Sequence, residues 1–141
     1  MSAGAGIDQD KLDRLFTAAL ETAIARVEKD GHFAPLLFEL RDSGAIQAVA
    51  VLDKGSHDSE EAVIAGFADV LRPRAADGTI RALAIALHRK GAIEVRLRAP
   101  NYAADVTAPY TVETSGLLRR KRQIALGEFS AQASSDDIFA A

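Results

Sequence analysis

The sequence predicts a two-layer α+β fold, with two helices packed on one face of an antiparallel sheet of five to six strands, in the order α-β-β-α-β-β-β and with a short further strand at the end. Three observations predict it. An apolar period of three and four residues occurs twice, over 10–28 and 58–72. Each is followed by two strand-like runs around a turn signal, Asp42-Ser43-Gly44 within 33–52 and Arg89-Lys90-Gly91 within 79–99. A further alternating run, Val106, Ala108, Tyr110 and Val112 against Asp105, Thr107, Thr111 and Glu113, extends the sheet.

In the first helix, Leu12, Leu15, Phe16, Leu20, Ile24 and Val27 form one stripe, filled by Ala19 and Ala23, and Gly31 is the stop signal. The strand over 34–41 puts Leu36, Phe38 and Leu40 on one face and Leu37, Glu39 and Arg41 on the other. Its return, Ala45–Leu52, is apolar almost throughout, which predicts a central strand covered on both faces. Asp58 with Glu61 reads as a helix start, and Val63, Ile64, Phe67, Val70 and Leu71 as the stripe of the second helix. Pro73 predicts its end, because a proline disfavours helical dihedrals in the residue before it.

The third strand, near 79–88, has Leu83, Ile85 and Leu87 on one face and Ala82, Ala84 and Ala86 on the other. A row of alanines lets another backbone approach closely. In the fourth strand Ile93, Val95 and Leu97 face inward and Glu94, Arg96 and Arg98 outward. Pro100-Asn101 signals a turn, and Pro109 suggests an edge strand or a bulge in the fifth strand. A short sixth strand is expected near 121–127. Residues 1–7 read as a flexible N-terminal tail, 8–129 as a single domain, and 130–141 as a mobile C-terminal tail whose Ile138 and Phe139 can dock back onto the body.

Composition narrows the function classes. A chain of 141 residues without cysteine has no disulfide, thiolate metal site or cysteine nucleophile. That fits a reducing compartment, and a cytoplasmic location is expected. The net charge of −3 weighs against a general nucleic-acid binder. No apolar stretch approaches the roughly 20 residues that cross a bilayer, so no membrane partner is expected.

His32, His57 and His88 are the imidazoles on which any general-base mechanism must draw. Two loops and a strand end could bring them to one sheet edge as a pocket, against the plainer reading of three exposed loop residues. Their spacing does not suit a metal site, and no metal or cofactor is expected. The carboxylates Asp53, Asp58, Glu60 and Glu61 read as a solvated loop and a helix start favoured by the macrodipole. No serine lies in a Gly-x-Ser-x-Gly elbow and no phosphate loop follows a strand, so no catalytic residue is assigned.

The basic run Arg119-Arg120-Lys121-Arg122 suits phosphates or acidic lipid, or a solvated sheet edge guarded against pairing. Glu94, Arg96 and Arg98 share an outer face with Asp105, Thr107, Thr111 and Glu113 if the fourth and fifth strands pair. That surface suits an anionic ligand or a partner protein, or holds cross-strand charge pairs in water. Tyr102, in a turn, is the aromatic expected to be most exposed.

Pro109-Tyr110, Gly127-Glu128-Phe129 and Ile138-Phe139 give the last third of the chain a resemblance to small uncharacterised bacterial α+β proteins. The resemblance implies a stand-alone bacterial protein and carries over no activity and no functional residue.

The sequence favours a non-catalytic binding or regulatory protein acting through a sheet face or edge. The alternatives are a ligand pocket or small enzyme that combines a histidine with Arg96 or Arg98, and an anionic contact through Arg119–Arg122. Two helices on one face leave apolar strands bare on the other, which predicts a homodimer across the open face. A protein partner is compatible with the same surface.

Overall fold

The structure is a computed structural model and describes residues 9–51, 59–115, 121–135 and 138–139, with only the backbone at 50, 51, 115 and 121. The elements are α1 (Gln9–Asp30), β1 (Leu36–Arg41), β2 (Ile46–Val51), α2 (Glu60–Ala76), β3 (Ile80–Arg89), β4 (Ala92–Ala99), β5 (Tyr102–Ser115), β6 (Lys121–Leu126) and β7 (Ser130–Ala133). The fold is α+β, two helices on an antiparallel sheet, with seven strands among the described residues. The strand order is β2-β1-β3-β4-β5-β6, and β7 also pairs with β5.

The centre of the sheet is β3, apolar on both faces, and a strand of that kind needs cover on both sides. Each helix supplies one. The stripe of α1, from Leu12 to Val27, packs with the β3 alanines Ala82, Ala84 and Ala86, and with Leu36, Phe38, Leu40, Ile93, Val95 and Leu97. Ala19 and Ala23 of α1 are fully buried here, small residues meeting small residues. Helix α2 packs instead with Leu37, Ile80, Leu83, Ile85 and Leu87 through Ala68 and Leu71. Neighbouring strand residues point to opposite faces, so the two helices lie on opposite sides of the sheet. The expectation of both on one face is corrected. The argument for a second copy across a bare apolar face loses its premise, because α2 covers that face over β1 and β3.

Helix α2 buries little of itself and is clamped at both ends. Ser59 caps it, accepting a hydrogen bond from Ala62 N at 3.1 Å. In the first turn Glu60 takes two bonds from Arg89 of β3, at 2.7 and 2.9 Å. In the last turn Arg74 forks onto Glu39 of β1, through Nη1 to Oε2 and through Nη2 to Oε1 at 2.8 Å. The helix does not stop at Pro73, as the sequence suggested, but runs on to Ala76. The proline costs one backbone bond in the last turn. The Arg74–Glu39 pair holds that turn in place, Asp77 N bonds to Pro73 O at 3.0 Å, and Gly78 at φ +83° leaves the helix.

Strand β2 is an edge strand, not a central one. Gln47, Ala48 and Val49 are exposed, and Val49 is the extra residue of a bulge opposite Leu37 and Phe38. Of its apolar run, Ile46 packs against the α1-side core, while Ala48 and Val49 stay in the open. Strand β5 is flanked along its length, by β4 at 102–109, by β7 at 104–107 and by β6 at 110–115. Pro109 falls where the β7-paired and β6-paired parts meet, and its carbonyl accepts from Gly127 N at 2.7 Å. It sits inside the sheet without having to donate to the β6–β7 side. Residues 130–133 form β7 and Ile138 is buried in the α2-side core, where composition suggested a mobile tail with two docking residues.

Among the described residues no helix is long and apolar enough to cross a membrane. His57, Asp53, Asp58, Arg119, Arg120 and the 1–7 segment lie outside the described residues, as does the side chain of Lys121.

Candidate sheet-face site

The sheet pleat sorts the candidate residues. Odd-numbered β3 residues pair with even-numbered β4 residues, Leu83 with Arg98, Ile85 with Arg96 and Leu87 with Glu94. The Glu94–Arg96–Arg98 triplet therefore shares the face of α2. On β5 the same face carries Asp105 opposite Arg96 and Thr107 opposite Glu94. Strand β7 adds Gln132 opposite Asp105 and Ser130 opposite Thr107. Both of these β7 residues are exposed.

A chain of charges runs across this surface. Arg89, bound to Glu60, also approaches Glu94 at 3.3 Å, and Glu94 accepts from Arg96 Nε at 2.6 Å. The Glu60 bond, outweighing partial burial, pushes Arg89 above its ordinary pKa. Arg98 behaves differently from Arg96. It is 6% exposed and donates to Asp105 at 2.9 Å, to Leu97 O at 3.0 Å and to Ala104 O at 3.3 Å, with Nη2 on Ser134 Oγ at 3.3 Å. Arg98 thus ties β4, β5 and the segment after β7 together. Arg96 is anchored at Nε alone, and among the described residues its two Nη atoms have no hydrogen-bond partner.

Arg96 and Arg98 line a cleft with Leu83 and Ile85 as its floor and Ile64 and Ala68 of α2 as its wall. Ile138, 4% exposed, completes the lining. The remaining volume is about 10 Å³, room for about one water molecule.

The histidines stand elsewhere. His88, on an even-numbered β3 position, faces the α1 side, where its Nε2 lies 3.0 Å from Tyr110 Oη and its ring 5.4 Å from that of Phe33. Burial, then the nearby charges of His32 and Arg89, hold His88 below its ordinary pKa. His32 is exposed at the end of α1. The structure therefore does not bring His32 or His88 into one pocket with Arg96 and Arg98; the sheet separates them. Tyr102 opens β5 instead of lying in the turn, and at 37% exposed it is not the most open aromatic, since Phe129 is 43% exposed. Among the described residues no group of three or more metal-ligating side chains is placed to hold an ion.

Of the basic run, Arg122 is an α1 strap. It donates to the carbonyls of Val27 and Glu28 at 3.2 and 3.3 Å, at the helix end that favours a cation. Glu28 returns a bond, accepting from Ile124 N at 3.0 Å.

The residue the sequence reading passed over is Glu39, fully buried in β1 between two apolar neighbours. A lone acid in that run was the available signal. Gln132 and Ser134 were hidden in a small, polar stretch that carried no alternation.

No family model, curated protein or solved structure matches the chain.

Proposed function

We propose that this is a non-catalytic binding protein whose contact surface is the α2-side face of β4, β5 and β7. The observation that carries the proposal is Arg96. It is fixed by Glu94 at Nε and presents two Nη atoms with no partner among the described residues, beside an apolar cleft. A guanidinium held this way binds a carboxylate without first giving up an internal bond, and its planar fork suits two parallel hydrogen bonds. Thr107, Ser130 and Gln132 extend the surface with groups that both donate and accept.

Two further features support binding over catalysis at this place. The cleft leaves about 10 Å³, against the roughly 300 Å³ or more of small-molecule pockets. Histidine and arginine, the pair on which an acid–base reading relied, face opposite sides of the sheet.

Co-purification from native cells tests the reading. Arg96→Glu and Thr107→Arg chains should lose the proteins that the unaltered chain retains, while Glu21→Arg on the outer side of α1 should keep them. Loss with Glu21→Arg and retention with both sheet-face variants would overturn it.

A further inference from the structure

We infer that the outer edge of β2 is a pairing surface for a second copy of this chain, joined antiparallel about a two-fold axis at Gln47 so that the two sheets run on as one. This surface is separate from the sheet face proposed above and from the apolar face that α2 covers.

Strand β2 ends the strand order, and Gln47, Ala48 and Val49 are exposed. The hairpin decides which backbone groups the edge offers. Arg41 N donates to Ala45 O at 2.8 Å, and Glu39 stands opposite Gln47. Bonded and non-bonded partners alternate along an antiparallel pair. Ala45 and Gln47 therefore turn their N–H and C=O groups to β1, and Ile46 and Ala48 turn theirs outward. The run Ala45–Leu52 holds no charged residue and no proline. An edge of that composition lacks the side chains that keep strands from pairing.

The opposite end of the sheet is guarded. There the edge is interrupted between β6 and β7, where 127–129 stand opposite Ala108 and Pro109 alone. Glu28 of α1 takes the hydrogen of Ile124 N, and Arg122 is tied to the end of the same helix. Short pieces, a bulge and nearby charges all oppose strand addition. Pairing through β2 alone is isologous and closes at two copies.

The residue at the centre names the occupant. The bulge at Val49 leaves 45–48 as the regular stretch. Antiparallel self-pairing over it sets Ile46 of each copy opposite Ala48 of the other, and each such pair exchanges both of its hydrogen bonds. Gln47 then meets its own copy as a non-bonded pair, where side chains stand closest. A carboxamide both donates and accepts, so two of them bond to each other. A lysine or glutamate at that position would meet its like and repel it.

The test exploits the absence of cysteine, which makes Gln47→Cys the only thiol in its chain. Under mild oxidation this variant should form a disulfide-linked dimer, because close cross-strand neighbours suit the bridge. Val70→Cys, 62% exposed on α2, should stay largely single. Sedimentation velocity of the unaltered chain, over a series of rising concentrations, should show the average mass climbing from one chain towards two. Gln47→Lys and Ala48→Pro should hold it at one, the proline removing an outward donor while sparing the bonds to β1. A single-chain mass throughout the series, or equal cross-linking of the two cysteine variants, overturns the inference. A dimer that Gln47→Lys and Ala48→Pro both retain uses another surface and likewise overturns it, as does growth beyond two copies. Circular dichroism checks that each variant is folded; if Ala48→Pro is not, Gln47→Lys and the cross-link decide.

Discussion

Arg74→Met tests whether the buried Glu39 is what seats the end of α2. Glu39 is fully buried, and Arg74 bridges both of its carboxylate oxygens from the last turn of the helix. Removing the guanidinium leaves a buried carboxylate without its main counter-charge, a change that costs about 3–5 kcal/mol. Arg41 stands 3.5 Å from Glu39 Oε1 and is partly exposed, so it compensates in part and places the cost at the lower end, about 3 kcal/mol. With a urea m value of about 2 kcal/mol/M, the unfolding midpoint should fall by about 1.5 M. The double variant Glu39→Leu/Arg74→Met removes both charges and should recover most of the loss, since apolar replacement of a whole buried pair is often neutral or stabilising. The assay is urea unfolding followed by circular dichroism. A midpoint change below about 0.5 M for Arg74→Met, the effect of an exposed ion pair, would show that Glu39 is not confined as described.

Ala84→Leu should destabilise by about 1–3 kcal/mol through overpacking under α1, whereas Val70→Lys, at a site 62% exposed, should stay within about 0.5 kcal/mol; a neutral Ala84→Leu in the same unfolding assay would mean that α1 does not sit on the alanine row. His88 has a folded pKa below its ordinary 6.5, so the unfolded chain takes up its proton first, and the stability from neutral His88 is present above pH 6.5 and lost as pH falls through the lowered value. His88→Gln should accordingly flatten the fall in stability below pH 6.5, and an unchanged slope between the two chains would contradict this. Arg122→Ala removes the cation and two hydrogen bonds at the end of α1 and should cost about 0.5–1 kcal/mol; a helix content and midpoint equal to the unaltered chain would rule out the strap.

What the chain reveals before folding is mostly local. The alanine row of β3 announced a close backbone neighbour, and α1 is that neighbour. The alternation of β4 separated Ile93, Val95 and Leu97 from Glu94, Arg96 and Arg98, as found. Periodicity marks which residues share a face but not which helix takes it, so it cannot by itself place the two helices on one side or on opposite sides. The two apolar faces of β3 were the clue that both sides needed cover. Glu39 and Arg74 lie 35 positions apart, and no local pattern links them. Strand β7 is exposed throughout and shows no alternation, because it is held by pairing with β5 rather than by burial. The difference between Arg96 and Arg98 was equally hidden, since it depends on Asp105 and Ser134 reaching one guanidinium and not the other.

Site-specific photo-cross-linking in native cells addresses the proposed surface most directly. A benzoylphenylalanine in place of Gln132, which faces out beside Asp105, should yield a discrete adduct that Arg96→Glu abolishes. The same group in place of Glu21, on the outer side of α1, should yield none. Adducts from the Glu21 position, with none from Gln132, would put the partner on the wrong side of the sheet.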